Sequence, residues 1–377
     1  MPSLHLFTHE FHPFRGGIAT YCHEFAQAAA KAHAHGVTVY APAGAHAPDL
    51  NCIYTVVAGR NHRTHNLRSL LHSKQQLRQA IKDYDATILL AEPGPILAYG
   101  LLHPKTPPTN LIITLHGSEI QRWQNNPLAR WLAMRSFTDA KVIVTVSKPI
   151  AKLAQQAFPQ FAHKVRAVRN ALPEIFRSQA LASPPVPEKK FVKNQPFQIL
   201  SVGRLHPRKG YDQVVRAIAN LPAKLQGKVQ YTVAGSRSNN DYQKELQQLA
   251  TQLNVNLTIE LDLSHQQLID HYRQADLFCL TSVPYRKSVE GFGLVYLEAG
   301  AYRLPALAYD TGGVRDAVQN NLTGRLIKTG DIPALTQQLQ DWITNPAALE
   351  PLGHAARANA LSRSWADVVA ETLCINP

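Results

Sequence analysis

Two carboxylates frame the stretch SVEGFGLVYLEAG (288–300). Glu290 stands ahead of a Gly-Phe-Gly turn, and Glu298 lies inside the apolar run that follows. Glycines let a backbone come close to a ligand, and the first turn of a helix carries N–H groups without intrahelical partners. A helix beginning near Phe292 or Gly293 can therefore turn the amides of Gly291, Phe292, Gly293 and Leu294 toward an anion. Glu298 then falls about a turn and a half inside that helix. A carboxylate that accepts two hydroxyl hydrogen bonds is a usual way to hold a ribose diol. The plainer alternative is a glycine-rich helix start with two solvated acids.

Other stretches offer complementary chemistry. In SVGRLHPRKG (201–210) an apolar run ends at Gly203, Arg204 follows, and Lys209 precedes Gly210 and a helical pattern. Two permanent cations at one strand–loop–helix junction suit a diphosphate, the Arg as a fork and the Lys as a point charge. The alternative is a solvated basic loop. No GxGxxG and no P-loop lysine motif occurs, which leaves nicotinamide-dinucleotide and P-loop nucleotide readings without support. His116 closes the apolar run LIITLH, where it faces a crevice rather than a core and can bond a sugar hydroxyl or a phosphate. Among 17 histidines it is equally readable as a satisfied structural one. Gly16 and Gly17 in RGGI open the first helix, either as a close-approach site for an anion or as a tight turn. TGGVRDAV (311–318) supplies another Gly-Gly turn after a strand.

These residues need a frame that gathers them. SLHLFT, VTVYAP, ATILLA, LIITLH and VIVTVS in the first half are short, nearly continuous apolar runs separated by helical patterns. QILSVG, VQYTVAG, LTIEL, ADLFCLTS and PALAYD repeat that alternation after residue 197, with helices near 211–220, 241–253, 265–274, 292–302 and 333–344. Alternation of this kind predicts doubly wound parallel sheets, with strands buried on both faces. In such sheets ligands bind beyond the carboxyl ends of the strands, where each stretch above falls. The Pro- and Lys-rich segment 178–197 reads as a linker. The expected division is a first domain over 1–177, the linker, and a second domain over 198–363.

The bulk properties are compatible with this. A chain of 377 residues exceeds the usual size of one core. No apolar run is long enough to span a bilayer, and the N-terminus lacks a signal-peptide pattern. The four cysteines show no CxxC spacing, which fits a reduced cytoplasmic setting without a metal cluster. Ten of the 13 surplus positive charges fall in residues 1–180, which points to an anionic partner there. Residues 60–82 hold six Lys/Arg and no acid. From Asn66 they read as a helix with Leu67, Leu70, Leu71, Leu77 and Ile81 on one side and Arg68, His72, Arg78 and Lys82 on another. Either the leucine face packs on the sheet and the basic face is solvated, or the helix lies on an anionic membrane at its inner face.

Taken together, two cations, helix-start amides and a ribose-holding acid are the parts of a nucleoside-diphosphate site. SVGRLHPRKG, EGFGLVYLEA and TGGVRDAV, in this order, resemble the retaining GT-B glycosyltransferases of family 4, whose most specific signature is the E-x7-E pair matched by Glu290 and Glu298. FHPFRGGIATY, LHGSE, VIVTVS and SRSWADVVA extend the resemblance over nearly the whole chain. It implies an α/β fold of GT-B architecture, two Rossmann-like domains facing a central cleft, with the tail helix 364–377 joining the first. It implies catalytic roles for Glu290, His116, Arg204 and Lys209. Arg204 and Lys209 would neutralise the leaving diphosphate, Glu298 would hold the ribose, and Glu290 and His116 would meet the transferred sugar. Gly16 and Gly17 would let the first domain close on the diphosphate. No cofactor and no metal is implied; the nucleotide sugar is a substrate, and protein cations stand where a metal would.

The resemblance further implies a GDP- or UDP-linked donor and a glycan or lipid-linked acceptor, with GDP-mannose-dependent mannosyltransferases among the similar enzymes. Asn170-Ala171, VAGSRS, LDLS and Asp316 depart from the family pattern, and the first three leave the donor base open. Two other readings stand beside this one. A GT-B sugar-nucleotide epimerase would bind the same donors without this E-x7-E arrangement. A non-catalytic, basic nucleotide- or nucleic-acid-binding protein would account for the charge. No helix-turn-helix, RNA-recognition or zinc pattern accompanies it, so no nucleic-acid partner is expected.

Overall fold

Runs such as ILL, LIITL and VIV, rich in branched apolar residues, form strands that are buried throughout. In the computed structural model of the chain, residues 3–14, 16–32, 36–48, 51–59, 67–182, 195–236, 240–285 and 288–373 are described. They fall into two compact units, Met1–Asn170 with Ser364–Pro377, and Ala171–Arg363.

The first unit holds seven parallel strands: β1 (Leu4–Phe7), β2 (Val37–Ala41), β3 (Thr55–Ala58), β4 (Thr87–Leu90), β5 (Asn110–Leu115), β6 (Val142–Thr145) and β7 (Val165–Ala167). Their order in the sheet is β3-β2-β1-β4-β5-β6-β7. Leu4 pairs with Val37 on one side and with Thr87 on the other, so β1 is the point from which the chain winds both ways. Leu89, Leu90, Ile113 and Leu115 are fully buried. Burial of each such side chain stabilises the fold by about 1.5–3 kcal/mol relative to leaving it in water. The helix Trp365–Leu373 returns to this unit, and the Trp365 ring stands edge-on to Tyr21 in the helix Gly17–Ala32, centroids 5.5 Å apart.

The second unit repeats the scheme with six parallel strands: β8 (Phe197–Val202), β9 (Val229–Gly235), β10 (Leu257–Leu261), β11 (Leu277–Leu280), β12 (Ala306–Tyr309) and β13 (Gly324–Ile327), ordered β10-β9-β8-β11-β12-β13. Here the chain reverses its winding between β8 and β11.

Three strands have no counterpart in the expected set: β3, β7 and β13. All three are edge strands. An edge strand packs on one side only and does not need the continuous apolar run that marks a central one. The expected linker is also narrower. Residues Glu174–Ala182 are helical and belong to the second unit, with Phe176 and Ala180 buried, and residues 183–194 lie outside the described set.

The helix over 67–80 differs from the expectation that its leucine face packs on the sheet. It buries Ser69, Ser73, Leu77 and Ala80, while Leu67 and Leu71 are 70% and 49% exposed. At about 100° per residue the four buried positions share one face, and the two exposed leucines lie opposite, on the side of Lys74, Arg78 and Lys82. Leu67 and Leu71 therefore do not pack on the sheet, whereas Leu77 is buried. Arg60 and Arg63 lie outside the described residues.

Candidate functional site

The second unit gathers its polar groups at the winding reversal between β8 and β11. Leaving β8, the chain passes Gly203 and Arg204, forms a short turn of helix over Pro207–Lys209 and starts the helix Tyr211–Ala219. Gly210 has φ +69°, and a Cβ there would meet the carbonyl oxygen of Thr281 at 2.0 Å. Only glycine fits both conditions. The hydroxyl of Thr281 donates to the Gly210 carbonyl at 2.6 Å, and the Val283 amide donates to the Arg208 carbonyl at 2.9 Å. The Arg208–Lys209 turn is thereby fixed to the end of β11.

Three donors converge on one oxygen of Glu290. Lys209 Nζ lies 2.9 Å from Oε2, Ser282 Oγ 3.0 Å and Arg208 Nη1 3.1 Å. Lys209 and Glu290 are both buried. Burial by itself raises the Glu290 pKa, but Lys209, Arg208 and the hydrogen bonds outweigh it and bring it down to about 2. For Lys209, burial lowers the pKa and outweighs the opposing pull of Glu290. The site thus holds two cations against one anion, a net positive centre in a desolvated place. Such a centre attracts phosphate more strongly than the same charges would in water.

Glu290 is itself held by the next glycine turn. Gly312, at φ +52°, passes so close that a Cβ would lie 2.2 Å from the Glu290 carbonyl, and the Gly313 amide donates to that carbonyl at 2.8 Å. The helix after Glu290 runs Leu294–Ala301, starting one or two residues later than expected, with Gly293 at φ +91° as its N-cap. Glu298 lies within it, buried, and accepts a hydrogen bond from Tyr272 OH at 2.8 Å. Burial raises the Glu298 pKa to about 7, against the opposing effects of Tyr272 and Lys209.

The sequence-predicted residues are partly brought together. Lys209, Glu290, Gly291, Phe292, Gly293, Leu294 and Glu298 lie in one segment-to-segment cluster of the second unit. Arg204 is on its rim, exposed, with no carboxylate within 4.0 Å among the described residues. Arg208 makes the contact to Glu290 that the expectation gave to no residue. Ser282 and Tyr272 were missed as well. Arg208 was visible as a cation beside Lys209. Ser282 becomes relevant only through the adjacency of β8 and β11, and Tyr272 only through the packing of its helix, His265–Gln274, near Glu298.

Gly16, Gly17 and His116 belong to the first unit. Gly17 begins a helix with nothing within 4 Å of a would-be Cβ, whereas at Gly16 a Cβ would touch the Phe14 ring at 3.0 Å. His116 follows β5. Its Nε2 lies 2.8 Å from the Ala91 carbonyl oxygen, so this nitrogen carries the proton and donates. The Tyr21 ring is edge-on to the imidazole at 5.2 Å, and Glu119 accepts the backbone amides of His116 and Gly117. Burial lowers the His116 pKa, partly opposed by Glu119.

Residues 15–173 match the family described as Glycosyltransferase Family 4, and residues 184–359 match the one described as Glycosyl transferases group 1. The chain belongs to glycosyltransferase family 4. It is 27% identical over 370 residues, 96% of this chain and 94% of the other, to a GDP-mannose-dependent alpha-(1-6)-phosphatidylinositol monomannoside mannosyltransferase of Mycolicibacterium smegmatis. A D-inositol 3-phosphate glycosyltransferase of Streptomyces coelicolor is 33% identical over 180 residues, 46% of this chain and 38% of that protein. Among solved structures, Anabaena HepE in complex with UDP and glucose superposes with a TM-score of 0.74 at 20% identity, covering 99% of this chain and 100% of that one. The glycosyltransferase WaaG, involved in lipopolysaccharide biosynthesis, superposes at 0.70 and 16% identity, covering 99% and 100%. These likenesses establish the GT-B fold. Family membership and fold together make the protein a glycosyltransferase that uses a nucleotide sugar.

Proposed function

We propose that the protein is a retaining mannosyltransferase that moves mannose from GDP-mannose to a hydroxyl of a glycan or lipid-linked acceptor. The observation that carries the donor-site reading is the convergence of Lys209, Arg208 and Ser282 on Glu290, with Glu298 held by Tyr272 in the same helix-start cluster. Likeness to GDP-mannose-dependent enzymes over nearly the whole chain supports mannose as the sugar and GDP as the carrier.

In this reading Lys209 and Arg204 receive the charge that develops on the diphosphate as the glycosidic bond breaks. Arg208 stands beside them as a third cation. Preorganised cations in a dry site lower the barrier because they need not reorient during the reaction. Lys209 has three N–H donors and gives one to Glu290, so its remaining donors suit phosphate oxygens. Glu290, kept ionised, is an acceptor for hydroxyls of the transferred sugar. Glu298 accepts from the ribose. His116, its Nε2–H engaged with Ala91, presents its other ring nitrogen as an acceptor for a sugar hydroxyl. The leaving phosphate takes the acceptor's proton, and configuration at the anomeric carbon is kept. Protein cations fill the place that a metal takes elsewhere.

The exposed face of the Leu67–Ala80 helix, with Leu67 and Leu71 among Lys74, Arg78 and Lys82, supports a peripheral contact with an anionic membrane. A lipid-linked acceptor would be met there.

The test is a thermal-shift screen against GDP, UDP and their sugars, followed by NMR of the product's anomeric proton. GDP and GDP-mannose should raise the melting temperature most, since a ligand that binds only the folded state stabilises it. A larger response to UDP-sugars would replace the donor. An epimerised sugar nucleotide formed without any acceptor would replace the reaction.

A further inference from the structure

In both units the chain reverses its winding once, in the second between β8 and β11 and in the first between β1 and β4. Ligands of doubly wound sheets bind at such points, beyond the carboxyl ends of the strands. The second unit's reversal is occupied by the cation–Glu290 cluster. The first unit's reversal holds a different set of groups, and the donor roles above use none of them.

His9 follows β1, and Glu92 follows β4. The His9 amide donates to Glu92 Oε1 at 2.9 Å, and the His9 ring Nδ1 lies 3.7 Å from the same oxygen. On its other side, His9 Nε2 lies 2.6 Å from Ser73 Oγ. Ser73 points inward from the Leu67–Ala80 helix. Thr8, His9, Ser69, His72, Ser73 and Gln76 line a pocket at this place, and its base has room for about one water-sized group. Glu92 is fully buried behind it, and Oε2 has no hydrogen-bond partner among the described residues.

A Cβ on Gly94 would meet His9 Nδ1 at 2.2 Å, and one on Gly59 would meet the His72 ring at 3.1 Å, so two glycines make room for two imidazoles. The helix turns Ser69 and Ser73 inward and leaves Leu67 and Leu71 in solvent. A helix serving only the core would bury Leu67 and Leu71 rather than two serines beside Leu77 and Ala80. Departures from the local rule of this kind mark functional places.

We propose that this pocket is a binding subsite for a hydroxyl or hydroxymethyl arm of a polyol or sugar, gripped by His9 and Ser73. Imidazole and hydroxyl groups both donate and accept, which matches a ligand hydroxyl that does the same. No Lys or Arg among the described residues lines the pocket, so a phosphate finds no permanent countercharge from them, and the space at its base is too small for an acyl chain. Resting on the transferase reading, the arm belongs to the acceptor, and His9 and Ser73 are specificity-determining residues for it. The pocket admits the arm alone, with the ring outside.

Saturation-transfer NMR on the full chain, with methyl α-D-mannopyranoside and myo-inositol as probes, tests this. At least one probe should be saturated by the wild-type protein. The signal should fall several-fold in Ser73→Leu, which fills the pocket, and persist in Lys224→Gln, an exposed change outside both sites. If Ser73→Leu fails to fold, Gln76→Leu carries the same expectation. Equal saturation in wild type and a folded filling variant, or none with either probe, overturns the subsite and leaves a water site only. The nucleotide thermal shift is read in parallel. Polyol saturation without any nucleotide response would keep the subsite and remove the transferase; nucleotide response without polyol saturation would do the reverse.

Discussion

Replacing Glu290 by Gln is the sharpest perturbation of the donor cluster. The amide keeps the shape but removes the charge on which Lys209, Arg208 and Ser282 converge. A carboxyl brought from its ordinary 4.5 to about 2 corresponds to a favourable interaction of about 3 kcal/mol. Breaking a buried ion pair from one side costs about 3–5 kcal/mol, which agrees. The sign follows from linkage. A carboxyl whose folded pKa lies below its unfolded one contributes stability that is present above pH 4.5 and is lost as the pH falls toward 2. Urea unfolding at pH 7 and pH 2, followed by hydrogen exchange in peptides covering 197–219, reads the second unit by itself. Glu290→Gln should lose about 3 kcal/mol at pH 7 and differ from wild type much less near pH 2. Equal stability at pH 7, or an unchanged acid limb, would refute the assignment of the Glu290 charge to this cluster.

Glu298→Gln should act oppositely on stability. With its pKa raised to about 7, Glu298 costs the fold stability progressively as the pH rises from 4.5 through 7. The variant should melt higher than wild type at pH 8 and equally at pH 4, while losing its response to nucleotides; a lower melting temperature at pH 8 contradicts this. Gly210→Ala should destabilise the second unit by more than about 3 kcal/mol, because it combines positive φ with a backbone clash. Gly17→Ala has open space and should change stability by less than about 1 kcal/mol, so any loss of transfer would report the approach of a ligand; denaturation curves and turnover separate the two. Lys74→Glu with Arg78→Glu should weaken binding to phosphatidylserine vesicles by at least about tenfold, at roughly 1 kcal/mol per cation removed from the surface. Unchanged co-sedimentation would leave that helix without a membrane role.

Much of the cluster was legible because it is built from contiguous stretches. SVGRLHPRKG and EGFGLVYLEAG each carry strand end, turn and helix start in one run, and a glycine at φ +69° or +91° leaves its mark in the residue type. The central strands were legible for the same local reason. What failed was anything that needed a neighbour. The edge strands β3, β7 and β13 pack on one side and look ordinary in sequence. Of the two readings of the Leu67–Ala80 helix, packing of Leu67 and Leu71 on the sheet fails, because the helix turns Ser73 inward to meet His9.

Residue order alone settled that two parallel α/β units exist, that each winds both ways from a central strand, and that Glu290, Lys209 and Glu298 sit on loops and helix starts at strand ends. Those are consequences of hydrophobic periodicity and of backbone conformations open to glycine, both of which are local. The tertiary structure decided which cation meets Glu290, that Tyr272 holds Glu298, and that His9, Ser73 and Glu92 form one chain of contacts. Each of these depends on which strands are adjacent, and adjacency is fixed by the packing of sheets rather than by spacing along the chain.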